Sequence, residues 1–192
     1  MTAQNPHAEI IDQVNRSVFM PSQLAAIERR ANMLIGKGDL SAQDLLDAVA
    51  SAAQRDRCIA FLSFCPGGVL RNRLDVMWRK QGNCTFEFHP GNGQSEDFKK
   101  IAIGNLLVLK KVQQYGETMR LYGHGRVLGV SATKSGNILQ VDWSMRPQHE
   151  LEVPFMGCDR AVNWVETSVL QSVMPKKFWD WLRVDSAVDA MT

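Results

Sequence analysis

The side chains of this sequence best suited to chemistry are aromatic rings set among cations. Trp78 lies in Arg71-Asn72-Arg73-Leu74-Asp75-Val76-Met77-Trp78-Arg79-Lys80, and Trp143 ends the run Ile138-Leu139-Gln140-Val141-Asp142-Trp143, just before Ser144-Met145-Arg146-Pro147. An indole offers a π-face on which any base can stack. Neighbouring cations, Arg73 among them, neutralise phosphate, and Asn72 or Asp75 can read a base's Watson–Crick edge. Lys110 and Lys111 close a second apolar run, and Arg120 and Arg126 lie on the run expected to pair with it. Strand residues so placed can line one face and contact phosphate. Each feature also has a plainer use: tryptophans fill cores, and lysines guard sheet edges. Trp179 and Trp181 are two apart on an expected helix, which predicts Trp179 in the core and Trp181 half-buried.

Catalytic templates are missing. The chain has no G-x-S-x-G elbow, no Walker loop, no H-E-x-x-H and no G-x-G-x-x-G. Gly123-His124-Gly125 lies inside an expected strand, where small residues let a strand bend or another backbone approach. His124 is therefore read as structural. His7, His89 and His149 are too scattered to be metal ligands. Cys58, Cys65, Cys84 and Cys158 contain no C-x-x-C pair, so neither a zinc ribbon nor a disulfide framework is expected. The expectation is a non-catalytic protein with no cofactor and no metal.

The formal net charge of +2 conceals an asymmetry. Residues 99–149 carry eight Lys/Arg against two Asp/Glu, whereas residues 1–54 carry four against six and residues 150–192 four against seven. A clustered basic excess points to an anionic partner. The polar N-terminus lacks a secretory pattern, and no apolar run approaches the ~20 residues of a membrane span. A soluble cytoplasmic protein with reduced thiols and no membrane partner is expected.

These residues need elements to position them. Residues 1–18 read as a loose arm. Pro21 suits the first turn of a helix that Gly36 and Gly38 end, and Ser41-Ala42-Gln43-Asp44 starts a second, giving a helical hairpin over 19–56. Cys58–Cys65 is a short apolar run stopped by Pro66-Gly67-Gly68, which fits a buried strand. Arg71–Lys80 is amphipathic and short, and Cys84–Phe88 alternates as a strand does. Three β-type runs between Gly104 and Trp143, separated by turns at 115–117 and 134–137, form an antiparallel meander. Further strands are expected at 150–153 and 161–165, then helices after Thr167 and Pro175. The reading is an α+β chain whose residues 57–184 form a mostly antiparallel β-barrel with short helices, and whose residues 185–192 fray.

The strand Gly104-Asn105-Leu106-Leu107-Val108-Leu109-Lys110-Lys111 and the following Gly123-His124-Gly125-Arg126-Val127-Leu128-Gly129-Val130 resemble the PUA-like superfamily, in particular its EVE/YTH/ASCH branch. Val141-Asp142-Trp143 and Met174–Leu182 resemble its closing strand and C-terminal helix more loosely. Asn105 stands where the branch more usually has Asp. The resemblance covers about residues 58–183 and leaves the hairpin outside. It implies a pseudobarrel that takes a modified or flipped base into an aromatic pocket near Phe64, Asn72, Asp75, Trp78 and Trp143, with Lys110, Lys111, Arg120 and Arg126 on the backbone.

The leading expectation is a nucleic-acid-binding module, a reader of modified or flipped bases in DNA or RNA. The alternative is a protein-interaction adaptor that docks a partner through residues 19–56 and the β domain, with Met20, Met33, Met145 and Met156 as adaptable contacts. A small hydrolase or nuclease would need clustered carboxylates or histidines that the sequence does not show.

Overall fold

The computed structural model describes residues 5–65, 70–85, 93–133, 136–143 and 149–183. The expected stop at Pro66–Gly68, the end of the strand at Phe86–Phe88, the segment after Trp143 and the C-terminal tail lie outside these residues.

Residues 8–16, expected as part of an arm, form helix α1 (Ala8–Arg16). It packs with α2 (Pro21–Gly36) and α3 (Gln43–Arg55) around Val14, Leu24, Ala31, Leu45, Ala48, Val49 and Ala52. The expected hairpin is thus two helices of a three-helix unit. Pro21 begins α2, and Gln23 Oε1 accepts the Met20 N–H at 3.0 Å, satisfying one of the donors a helix start leaves unpaired. Asp39 accepts the Ser41 N–H at 3.1 Å and turns the chain into α3. His7 Nε2 lies 3.0 Å from Asp39 Oδ2, and Asn5 Nδ2 donates to Asp44 Oδ2 at 2.7 Å, so the start of α1 is clasped to that same turn.

Strand β1 (Cys58–Ser63) runs parallel to β3 (Leu106–Gln114) and antiparallel to β7 (Val162–Glu166). Ile59 to Leu62 are fully buried. That double burial is why the strand reads as a continuous apolar run rather than an alternating one. The meander is present as β3, β4 (Thr118–Thr133) and β5 (Gly136–Trp143), with Gly116 at φ +82° in the β3–β4 turn. Strands β2 (Asn83–Thr85) and β6 (Leu151–Pro154) complete a seven-stranded sheet in the order β2-β5-β4-β3-β1-β7, with β6 paired to β4.

The sheet is open. Among the described residues β2, β6 and β7 each pair with a single strand and not with one another, so the expected barrel closure is not formed. Helices cover both faces instead. On one face α4 (Asp75–Gln81) and α5 (Gly93–Lys99) deliver Trp78 and Phe98 onto Ala60, Leu62, Leu107 and Leu109. On the other, α6 (Thr167–Val173) and α7 (Lys176–Leu182) bring Leu170, Phe178 and Trp179 against Ile59, Phe61 and Val108. Trp181, expected half-buried, is also buried. Its Nε1–H donates to the His149 carbonyl at 2.7 Å, and its ring meets the buried His124 edge-on at 5.0 Å. A helix sunk between a sheet and a loop can bury both residues, which a helix lying on a flat surface cannot.

Within the Gly-His-Gly segment, Gly125 permits the close approach expected of small residues in a strand. A Cβ built on Gly125 would lie 2.7 Å from the Trp143 ring and 2.7 Å from Val141 Cγ1, so the indole crosses the bare backbone of β4. Gly125→Ala should destabilise the fold by ~1–3 kcal/mol, the scale of overpacking, in denaturant unfolding. An unchanged midpoint would contradict this close approach.

Candidate nucleic-acid interface

One irregularity in β4 organises this site. Pairing with β3 steps from Leu109–Gly123 to Lys110–Leu121, so Tyr122 is an extra residue, a bulge. On the opposite edge, β4 pairs with β6 only as far as Leu121 and with β5 only from Gly125. Tyr122 is therefore left out of both ladders, and its carbonyl needs another donor. Arg79 supplies it through Nη2.

The Tyr122 ring meets Phe64 at 4.8 Å between centroids, edge to face. The Arg73 guanidinium lies 5.3 Å from the Phe64 ring and 5.2 Å from the Tyr122 ring. Its Nε and Nη2 donate to Asp75 at 2.8 and 2.6 Å, a bidentate pair on a carboxylate with 1% exposure. This geometry is the strong form of an arginine–carboxylate contact. Hydrogen bonding to Asp75 raises the Arg73 pKa, whereas burial lowers that of Arg79, whose Nε lies 4.0 Å from Asp75 Oδ2. One buried acid thus serves two guanidiniums.

Further charges act on the same cluster. Arg73 and Lys111 both stabilise the anionic form of the Cys65 thiol, though burial dominates and raises its pKa. Burial and the Glu150 charge raise the Tyr122 pKa, opposed by Arg120 and Arg73. Arg120 reaches Glu150 at 3.2 Å and Glu152 at 3.4 Å, both on the surface. Asn72 is exposed beside Arg73.

Other expected contacts lie elsewhere. Lys110 is buried on the opposite face of the sheet, where Nζ donates to the carbonyls of Cys158 and Arg160 at 2.5 and 2.6 Å. It ties a loop to the sheet and reaches no surface, so neither phosphate contact nor edge protection fits it. Arg126 Nη1 donates to the buried Asp56 at 2.8 Å and to the Gly104 carbonyl at 2.7 Å, joining the helical unit to the sheet. Phe64 and Trp78 have no exposed surface and Trp143 has 5%. All three belong to one aromatic-rich core cluster, so no ring face is open for stacking. Arg79 and Tyr122 were not expected in the site. The i,i+4 spacing of Asp75 and Arg79 is the available sequence signal for Arg79, whereas a bulge at Tyr122 has none. Among the described residues no group of three or more His, Cys, Asp or Glu is arranged to hold a metal, and no helix is long and apolar enough to cross a membrane.

No protein-family model and no curated protein matches the chain.

Burial pushes the Lys110 ammonium down from 10.5 to about 8. Between those values the unfolded chain holds a proton that the folded chain has released. The Lys110 contribution to stability should therefore rise with pH across that window, by roughly 3 kcal/mol at most, while the buried Cys84 and Cys158 thiols, whose pKa values are raised from 9.0, oppose it in the upper part. Lys110→Met should remove this rise, and equal pH dependence in the two proteins would contradict the assignment. Trp78→Ala should cost about 3–5 kcal/mol of stability, as for an aromatic lost from a core; a thermally unchanged variant would instead mark the ring as a surface group.

Proposed function

We propose that the chain is a non-catalytic nucleic-acid-binding module whose phosphate contacts come from Arg73, Lys111 and Arg120 around Tyr122. The observation that carries this reading is the state of Arg73. Its side chain is 35% exposed yet held by two aromatic rings and a bidentate carboxylate, and its Nη1 donors have no hydrogen-bond partner among the described residues. A guanidinium fixed in advance, with Nη1 donors uncommitted among the described residues, loses little entropy on meeting phosphate. Arg71 and Lys80 are exposed in the same segment and add to the local field. Asn72 is available to reach a base edge, whereas Asp75 is committed to Arg73.

The finer assignments implied by the PUA-like resemblance, a pseudobarrel and recognition of a modified or flipped base, belong to the same proposal. What supports base recognition is the convergence of Phe64, Trp78 and Trp143 in one cluster, with the Arg73 guanidinium 5.3 Å from the Phe64 ring. A flipped base would have to displace part of that cluster. The adaptor reading draws on a different feature, the exposed Met33 and Leu40 of the helical unit. A stable heteromeric complex insensitive to nuclease would favour it.

The test is fluorescence anisotropy with single-stranded and duplex DNA and RNA, modified and plain, across a salt series. Affinity should fall steeply with salt, because each neutralised phosphate releases counterions. Lys111→Gln should lower the salt slope by about one on every sequence alike, and Lys110→Met should leave it unchanged. Arg73→Lys keeps the charge but loses the bidentate fork, and should weaken binding without changing the slope. Salt-independent binding, or none at low salt, would remove the proposal.

A further inference from the structure

The sheet ends on one side at β7, which pairs only with β1 among the described residues. The β1–β7 ladder fixes which backbone groups face outward. Ser63 N–H donates to the Ala161 carbonyl at 2.8 Å, and Thr167 N–H to the Arg57 carbonyl at 2.9 Å. Both bonds continue the register in which Phe61 faces Asn163 and Ile59 faces Val165. Hydrogen-bonded pairs alternate along an antiparallel ladder. Asn163 and Val165 therefore turn their backbone groups toward β1, and Val162 and Trp164 turn theirs toward the free edge.

Such an edge is normally guarded by proline, lysine or a bulge. Strand β7, Val-Asn-Trp-Val-Glu, has neither residue and no register shift. It borders an open groove of about 790 Å³ lined in part by Asp97, Lys100, Arg160, Val162, Asn163 and Trp164. Its charges are polarised: Arg160, 65% exposed and 3.8 Å from the Asp97 carboxylate, precedes the strand, and the exposed Glu166 ends it.

We propose that this edge pairs with β7 of a second copy of the chain, antiparallel about a two-fold axis at Asn163. In that register the outward backbone groups of Val162 meet those of Trp164 of the second copy, and Arg160 meets Glu166. Each charge pair occurs twice, as a two-fold interface requires. Asn163 faces Asn163 of the second copy in a non-hydrogen-bonded pair, where side chains approach most closely. Centring the axis on Trp164 instead would set Arg160 opposite Ser168 and Glu166 opposite Val162, losing both charge pairs.

Sedimentation velocity of the full chain over a concentration series tests this, with circular dichroism confirming that each variant folds. The wild-type chain should show a monomer–dimer equilibrium. Asn163→Asp sets two carboxylates face to face and should abolish the dimer. Arg160→Glu and Glu166→Arg should each weaken it about tenfold, as repulsive pairs replace attractive ones, and the double variant should recover wild-type association. A wild-type monomer at every concentration, or a double variant no tighter than the single ones, would overturn the proposal.

Discussion

The extra residue at Tyr122 is the constraint from which the candidate site follows. A strand that pairs along both edges leaves no backbone group for anything else to hold. By dropping Tyr122 out of both ladders, β4 exposes a carbonyl that a charged side chain must satisfy, and Arg79 of α4 does so. That bond docks α4 on the sheet. Two cations then lie near the cluster, and Asp75, at the start of the same helix, offsets them from within the core. Burying one carboxylate with two guanidiniums is stable only because its oxygens are hydrogen-bonded. Removing Asp75 would leave both arginines without that compensation.

The basic excess of residues 99–149 divides into charges used inside the protein and charges left at its surface. Lys110 fastens the 158–160 loop to the sheet, and Arg126 binds Asp56. Asp56 also takes Arg55 Nη2 at 2.6 Å, and Arg55 reaches the carbonyls of Asn15 and Ser17. The junction between the helical unit and the sheet is thus ionic as well as apolar. Its other part is Val18 and Met20, which pack into the core that holds Ile59, Leu170 and Phe178. Charge counting along a chain cannot separate these uses, because the difference lies in whether a carbonyl or carboxylate waits at the other end.

Periodicity carried the fold further than it carried the site. The hairpin, the buried β1, the meander and the short strands at 151 and 162 are legible because their apolar spacing and turn residues are local. Helix α1 is not legible in the sequence because Ile10, Ile11 and Val14 form a short stripe among polar residues that is stable only when docked on α3. Closure failed for a different reason: a sheet can close or take helices on both faces with the same strand patterns, and the parallel β1–β3 pair decides for the second. The candidate residues divided on burial. Alternation along β3 sends Lys110 and Lys111 to opposite faces, a consequence of the period of two, and only Lys111 reaches the cluster. Trp78 sits beside cations in sequence, yet its ring is buried while Arg73 and Lys80 stay exposed, and the Trp143 ring is buried too.

Nucleic acid is proposed to meet the protein at the Arg73–Tyr122 cluster. The most direct test of this contact is an NMR titration with an oligonucleotide, following backbone amides together with arginine Nε–Hε signals. Progressive shifts are expected at Arg73, Lys111, Arg120 and Tyr122, with the Arg55 and Arg126 signals at the Asp56 junction unmoved. Shifts confined to the helical unit or to that junction, or none on addition of oligonucleotide at low salt, would contradict it.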